Sequence, residues 1–295
     1  MNRSAVMPFL WMICGCLAFT FMGNFTFALG HASAIGISLD WQIIAFFRAS
    51  LVFLFSFLLA ILFRVNPVVI GSRNLWLRSI AGSLSLVCSF YALTKLQLSL
   101  VLTVTNMFPL WVALLSWPML DKKPSISDWV AVLMGILGVA VIQNPHVNDN
   151  YLAILSAIMA SFFTALAMIG LHKVKGVPTQ TIVVHFSGVA TFLCFFILPF
   201  SPNINTVLEN TDFKIVMLLV GIGLSATIGQ NFLTLAFAYG APTKISVVGL
   251  SQVVFALIGD VLFWKKSLSA TETIGILMIL LPTCWVMLKS DEEAK

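Results

Sequence analysis

Charge is what this sequence has least of. Only 9% of its 295 residues are Asp, Glu, Lys or Arg, against about 25% in an average soluble domain. A water-soluble domain of this length would need many more charges to coat its surface. Acidic residues are the scarcer sign, with 11 Asp and Glu against 16 Lys and Arg. The apolar runs hold no pair of carboxylates, no HExxH and no GxS motif with partners, which argues against an enzyme working inside a membrane. The five cysteines (Cys14, Cys16, Cys88, Cys194, Cys284) are odd in number and all lie in apolar runs. Neither CxxC nor Cys/His ligand spacing occurs, so no disulfide framework, metal site or cofactor is implied. The net charge of +5 does not point to nucleic acid either. The basic residues stand singly or in pairs between apolar runs, a pattern that records membrane topology.

What is present in excess is apolar: 60% of the chain. A hydrocarbon core of about 30 Å takes about 20 helical residues to cross, and ten runs meet that measure. They lie near Pro8 to Leu29, Trp41 to Phe63, Trp76 to Leu93, Ser99 to Leu120 and Ser127 to Gln143, then Tyr151 to Leu171, Thr181 to Pro199, Phe213 to Tyr239, Thr243 to Trp264 and Ala270 to Leu288. The first run follows a single positive charge, Arg3, and is too long for the apolar core of a signal peptide, so it reads as a retained span. Breakers such as Asn66-Pro67, Lys123-Pro124-Ser125, Asn144-Pro145 and Ser201-Pro202-Asn203 separate the runs. The expected fold is all-α and polytopic, with the lipid bilayer as its main partner.

One hairpin occurs twice. Leu86 to Leu120 reads as two apolar helices joined near Lys95 and Gln97, the second carrying Thr103, Thr105, Asn106 and Pro109. A related pattern returns roughly 144 residues later, with its hinge at Gly240-Ala241-Pro242 and its polar pair at Ser251-Gln252. Lysine pairs follow both, Lys122-Lys123 and Lys265-Lys266. The chain therefore divides into repeats at 8–143 and 151–288, five spans each. An odd number of spans forces the second copy to enter the membrane the other way up. Inverted repeats can exchange conformations and open a central cavity to each side in turn.

Orientation follows from Lys and Arg. With the N-terminus in the cytoplasm, the inner side collects Arg3, Arg64, Arg73, Arg78, Lys122, Lys123, Lys173, Lys175, Lys244, Lys289 and Lys295. The outer side collects Lys95, Lys214, Lys265 and Lys266, and Arg48 is left inside a span. That bias places both termini inside, in a plasma (inner) membrane.

These residues resemble the drug/metabolite transporter superfamily, in its ten-span branch built from two EamA-type repeats. FYALTKLQLSLVLTVTNMFPLWVALL with KPSISDWVAVLMGILGVAVI carries the resemblance in the first half. AFAYGAPTKISVVGLSQVVFALIGDVLFW with SLSATETIGILMILL carries it in the second. Trp11, Asn24 and Arg48 fit the same pattern. The resemblance implies that the two hairpins, with the first and sixth spans, surround the transport cavity. Two features depart from it. Asp121-Lys122 and Trp264-Lys265 stand where the family carries Gly-Glu, and the first span has no acidic residue, so the proton-coupling glutamate of small multidrug members has no counterpart.

The substrate-binding candidates are Asn24, Arg48, Tyr91, Asn106, Pro109, Gln230, Ser251 and Gln252. Pro109 removes one helix hydrogen bond and frees the carbonyl of Thr105, and irregular backbone at membrane depth belongs where it faces protein or a cavity. The alternative is a packing kink with Asn106 bonded to a neighbouring helix. Gln230 and Asn231 point about 100° apart on one helix, so they cannot share a partner. Arg48 either pairs with Asp260 or binds a substrate carboxylate or phosphate. The expected function is a carrier for a small organic solute, an amino acid or related metabolite. Proton-coupled drug export and a non-transporting receptor or scaffold are the alternatives.

Overall fold

The computed structural model describes residues 3–30, 39–67, 71–96, 98–144, 150–174, 176–202, 212–264 and 268–292. The Lys265-Lys266 loop and the side chain of Asp260 lie outside the described residues. Among the described residues twelve α-helices run in order: α1 (Arg3–Gly30), α2 (Trp41–Leu62), α3 (Arg73–Lys95), α4 (Leu98–Thr105), α5 (Phe108–Leu120), α6 (Ile126–Gln143), α7 (Tyr151–Lys173), α8 (Thr179–Ile197), α9 (Phe213–Tyr239), α10 (Pro242–Gly249), α11 (Ser251–Trp264) and α12 (Ala270–Glu292). Together they supply ten stretches long and apolar enough to cross a membrane. The fourth span is α4 plus α5, and the ninth is α10 plus α11.

Both broken spans break for local reasons. Pro109 has no N–H to give to Thr105, and the Asn106 side chain turns back to donate to the Leu102 carbonyl at 2.7 Å. The ladder tightens there, with Met107 N–H on the Val104 carbonyl at 3.1 Å, and α5 restarts at Phe108. In the ninth span Gly249 is a weak helix former, and Leu250 N–H bonds Val247, three residues back, at 3.1 Å. Each break falls after a half-helix of 8 residues. The helices that follow the two broken spans open alike as well. Ser125 and Asp128 form a reciprocal cap on α6. Ser269 and Glu272 do the same on α12, with Ser269 N–H on Glu272 Oε2 at 2.8 Å and Glu272 N–H on Ser269 Oγ at 3.2 Å.

The packing repeats the symmetry. α1 lies along α9 and α7 along α3, so the first span of each repeat pairs with the third span of the other. α2 pairs with α8 and α6 with α12, each helix meeting its own counterpart, and the second half of the fourth span, α5, meets the first half of the ninth, α10. The halves are antiparallel and interleaved, not side by side.

The two ends of the bundle differ. The largest buried cluster gathers Phe9, Met12, Leu75, Val112, Leu171, Ile182, Phe237, Val248 and Val286, all towards the end that carries both termini. Among the described residues, every span but the second contributes to it. Polar ties reinforce this end: Lys173 Nζ donates to the Met119 carbonyl at 3.1 Å and His172 Nδ1 to that of Phe237 at 2.9 Å. Towards the far end the buried residues split into separate packets. One joins α1, α2 and α9 around Ile43 and Ile222. A second joins α3, α4 and α7 around Ala92 and Ala157. A third joins α6, α11 and α12 around Val254 and Ile279.

Candidate functional site

Between the sealed end and the split end stands a buried arginine. Arg78, five residues into α3, is only 2% exposed. Its Nη2 donates to Gln230 Oε1 of α9 at 3.1 Å, and its Cζ lies 4.1 Å above the ring of Phe186 on α8. Nε has no partner among the described residues. Two glycines make the room. A Cβ on Gly82, one turn along α3, would overlap Arg78 Nη1 and stand 2.8 Å from Phe186 Cε2. One on Gly170 of α7 would stand 3.0 Å from the Arg78 backbone nitrogen. This corrects the charge tally. Arg78 is a buried bundle residue and not an inner-surface charge, which leaves the bias at ten to four.

A crevice runs beside this group. Arg48 and Val52 of α2, Leu86 of α3, Phe186 and Ala190 of α8 and Gln230 of α9 line a narrow crevice. Its free volume of about 10 Å³ is about what one water needs. A metabolite fits only when the helices around it part. Among the described residues Arg48 makes no hydrogen bond or ion pair. Beside Arg78, Ser79 Oγ and His185 Nδ1 lie 2.7 Å apart, and His185 meets the Trp76 ring edge-on at 4.6 Å. This polar cluster therefore ties α3 to α8 and α9, with α2 on its open side.

Of the sequence candidates, Arg48 and Gln230 border the same crevice, Arg48 seven residues into α2 and Gln230 seventeen into α9. The others lie elsewhere. Asn24 Nδ2 donates to the Thr20 carbonyl of its own helix at 3.0 Å. Tyr91 is 40% exposed on α3. Asn106 turns back on its own helix, as does Asn231, whose Nδ2 reaches the Thr227 carbonyl at 2.8 Å. Pro109 is buried at the start of α5. Ser251 is buried and Gln252 half-buried where α11 begins. Sequence reasoning missed Arg78 and Phe186. The signal for Arg78 was its place inside the third apolar run, where an arginine is rare and usually functional.

An all-helical bundle of ten spans in two inverted repeats, with polar groups buried at the repeat interface, defines a polytopic membrane transporter. The model of the EamA-like transporter family matches residues 9–143 and again 151–288, and the chain belongs to that family. It is a family of transporters, not of enzymes. The pseudopaline exporter CntI of Pseudomonas aeruginosa is 27% identical over 268 residues, covering 88% of this chain and 90% of the relative. An uncharacterized transporter of Helicobacter pylori is 26% identical over 216 residues, covering 71% and 72%. A solved crystal structure superposes over 100% of both chains with a TM-score of 0.84 at 14% identity, a likeness of fold alone.

Proposed function

We propose that this protein is an alternating-access carrier that moves a small organic solute, an amino acid or related metabolite, across the inner membrane. The observation that carries the reading is the asymmetry of the bundle: one cluster closes the end with the termini, while the far end divides into separate packets. A symmetric pair of inverted repeats can interchange those two arrangements, which is the rocking that alternating access requires. The matched broken spans supply hinges for it. The ten-to-four excess of Lys and Arg supports cytoplasmic termini, so this conformation would be closed to the cytoplasm. A relative named as an exporter makes outward movement the second reading.

Flux tests the first point. Proteoliposomes holding only this protein should accumulate at least one labelled amino acid in counterflow against the unlabelled solute. Flux of none of them, with the protein folded, would leave a receptor or scaffold. Orientation is tested separately. In a cysteine-free variant on intact cells, an impermeant thiol reagent should label a cysteine at 265 and spare one at 122, and the reverse pattern would overturn the assignment.

A further inference from the structure

We propose that the last turn of α7 is the latch that holds the bundle closed at the end carrying the termini, with His172 and Lys173 as its gating residues. The inference deepens the carrier reading and rests on it.

Helices α5, α7 and α9 all finish at this end of the bundle, and the last four carbonyls of an α-helix have no partner within it. The chain beyond each helix satisfies some of them. Asp121 N–H reaches the Trp117 carbonyl at 3.0 Å, and Gly240 N–H reaches that of Ala236 at 2.8 Å. Side chains of another helix take three more. Lys173 Nζ donates to the Met119 carbonyl of α5 at 3.1 Å. His172 Nδ1 lies 2.9 Å from the Phe237 carbonyl of α9, and because a carbonyl only accepts, Nδ1 carries the proton. Asn74 Nδ2, in the first turn of α3, donates to the carbonyl of Lys173 itself at 3.3 Å. One turn of α7 thus ties the third, fourth and eighth spans together.

These bonds suit contacts that must break and re-form. At the end of a span, water can replace each side chain on its carbonyl, so opening exchanges hydrogen bonds instead of losing them. Each bond then favours the closed state by only about 1 kcal/mol, and somewhat more for the ammonium, which is also drawn to the partial negative charge of a helix C-terminus. The same groups at the bilayer centre, out of reach of water, would be too costly to part. The latch is also one-sided. α1 takes the place of α7 in the first repeat, yet its last turn holds no basic residue, whereas that of α7 holds His172 and Lys173. The turn feeds the sealed cluster as well: Leu171, next to His172, and Cys16 of α1 are both 0% exposed members of it. Parting this turn from α5 and α9 would therefore let water into that cluster.

Two native cysteines supply the readout. Cys16 is buried within the sealed cluster, and Cys194, towards the far end of α8, is buried outside it. Two versions of the full chain each keep one of these cysteines and carry alanine at the other four. Alkylation by N-ethylmaleimide is followed on the purified proteins in detergent, where its rate reports how often the thiol is uncovered. Lys173→Met and His172→Phe should each speed labelling of Cys16 by about fivefold or more, and the double variant further, while Cys194 stays within about twofold of its wild-type rate. Lys173→Arg, which can still donate to Met119, should label like wild type. An unchanged Cys16 rate in the double variant would overturn the proposal. So would an equal rise at Cys16 and Cys194, which would mean that these bonds only hold the fold together. Selective opening at Cys16 without solute flux in proteoliposomes would leave the latch standing and remove the carrier reading instead.

Discussion

Phe108 opens α5 and Gly249 closes α10, and the two residues meet: a Cβ added to Gly249 would stand 3.5 Å from Phe108 Cζ and 2.8 Å from Met12 Cε. The breaks in the two repeats thus touch each other at the core of the bundle, with the first span against them. A hinge built this way works only while the backbone at 249 stays bare. Gly249→Leu should slow transport at least about tenfold, because the inserted side chain forces α5 and α1 away from α10 at a cost of about 1–3 kcal/mol. Counterflow at matched protein level checks it, and wild-type rates would show that the contact is passive.

Much of this fold could be read in the chain. Ten apolar runs and two related hairpins are local signals, because helix length and breakers are decided within a few residues. Pairing between repeats is not local. Nothing in the sequence says that α2 lies against α8 or that Phe186 receives a guanidinium. The site was half legible for the same reason. Arg48 and Gln230 stood out as polar groups in apolar runs, whereas Arg78, close to Arg73, merged with the surface charges. Asn106 and Asn231 stood out equally and turned back on their own helices, a choice that rotamers make and composition does not record.

A second close approach holds the fifth and tenth spans together. A Cβ on Gly138 of α6 would stand 2.8 Å from the carbonyl oxygen of Gly275 on α12, and one on Gly275 would stand 2.8 Å from that of Gly138. Small residues let membrane helices pack backbone to backbone, where van der Waals contact is the main source of attraction. Gly138→Ala and Gly275→Ala should each lower the stability of the purified protein by about 1–3 kcal/mol. Thermal unfolding in detergent reads the loss. Because each methyl meets rigid backbone, an unchanged melting temperature in both variants would contradict this packing.

Asp121 holds a position that favours glycine. It ends α5 at φ 54°, ψ 25°, in the left-handed region, with its N–H on the Trp117 carbonyl at 3.0 Å and that of Lys122 on Ser116 at 3.3 Å. A side chain there costs roughly 1 kcal/mol, less for Asp than for most residues. Asp121→Gly should therefore stabilise the protein by up to about 1 kcal/mol despite the added freedom of the unfolded chain. A higher melting temperature with unchanged flux is the expected result, and a lower one would mean that the carboxylate makes a contact worth more than the strain.

The ion pair between Arg48 and Asp260 is the competing account of the arginine in the second span, and helix packing separates the two accounts. α2, which carries Arg48, lies against α8 and α9, whereas α11, which carries Asp260, lies against α1 and α12. A structural pair would have to bridge helices that are not principal neighbours. If Arg48 binds a solute anion, Asp260→Asn should leave uptake of an anionic solute within about twofold of wild type. Arg48→Gln should cut it by about tenfold or more, the loss expected when a charge-assisted hydrogen bond is removed. Exchanging the two residues, Arg48→Asp with Asp260→Arg, should not restore uptake, because the cation would then stand on α11 and not on α2. A structural pair makes the opposite demands: both single variants impair the protein, and the exchange repairs it. Restored uptake in the exchanged protein would therefore assign Arg48 to Asp260.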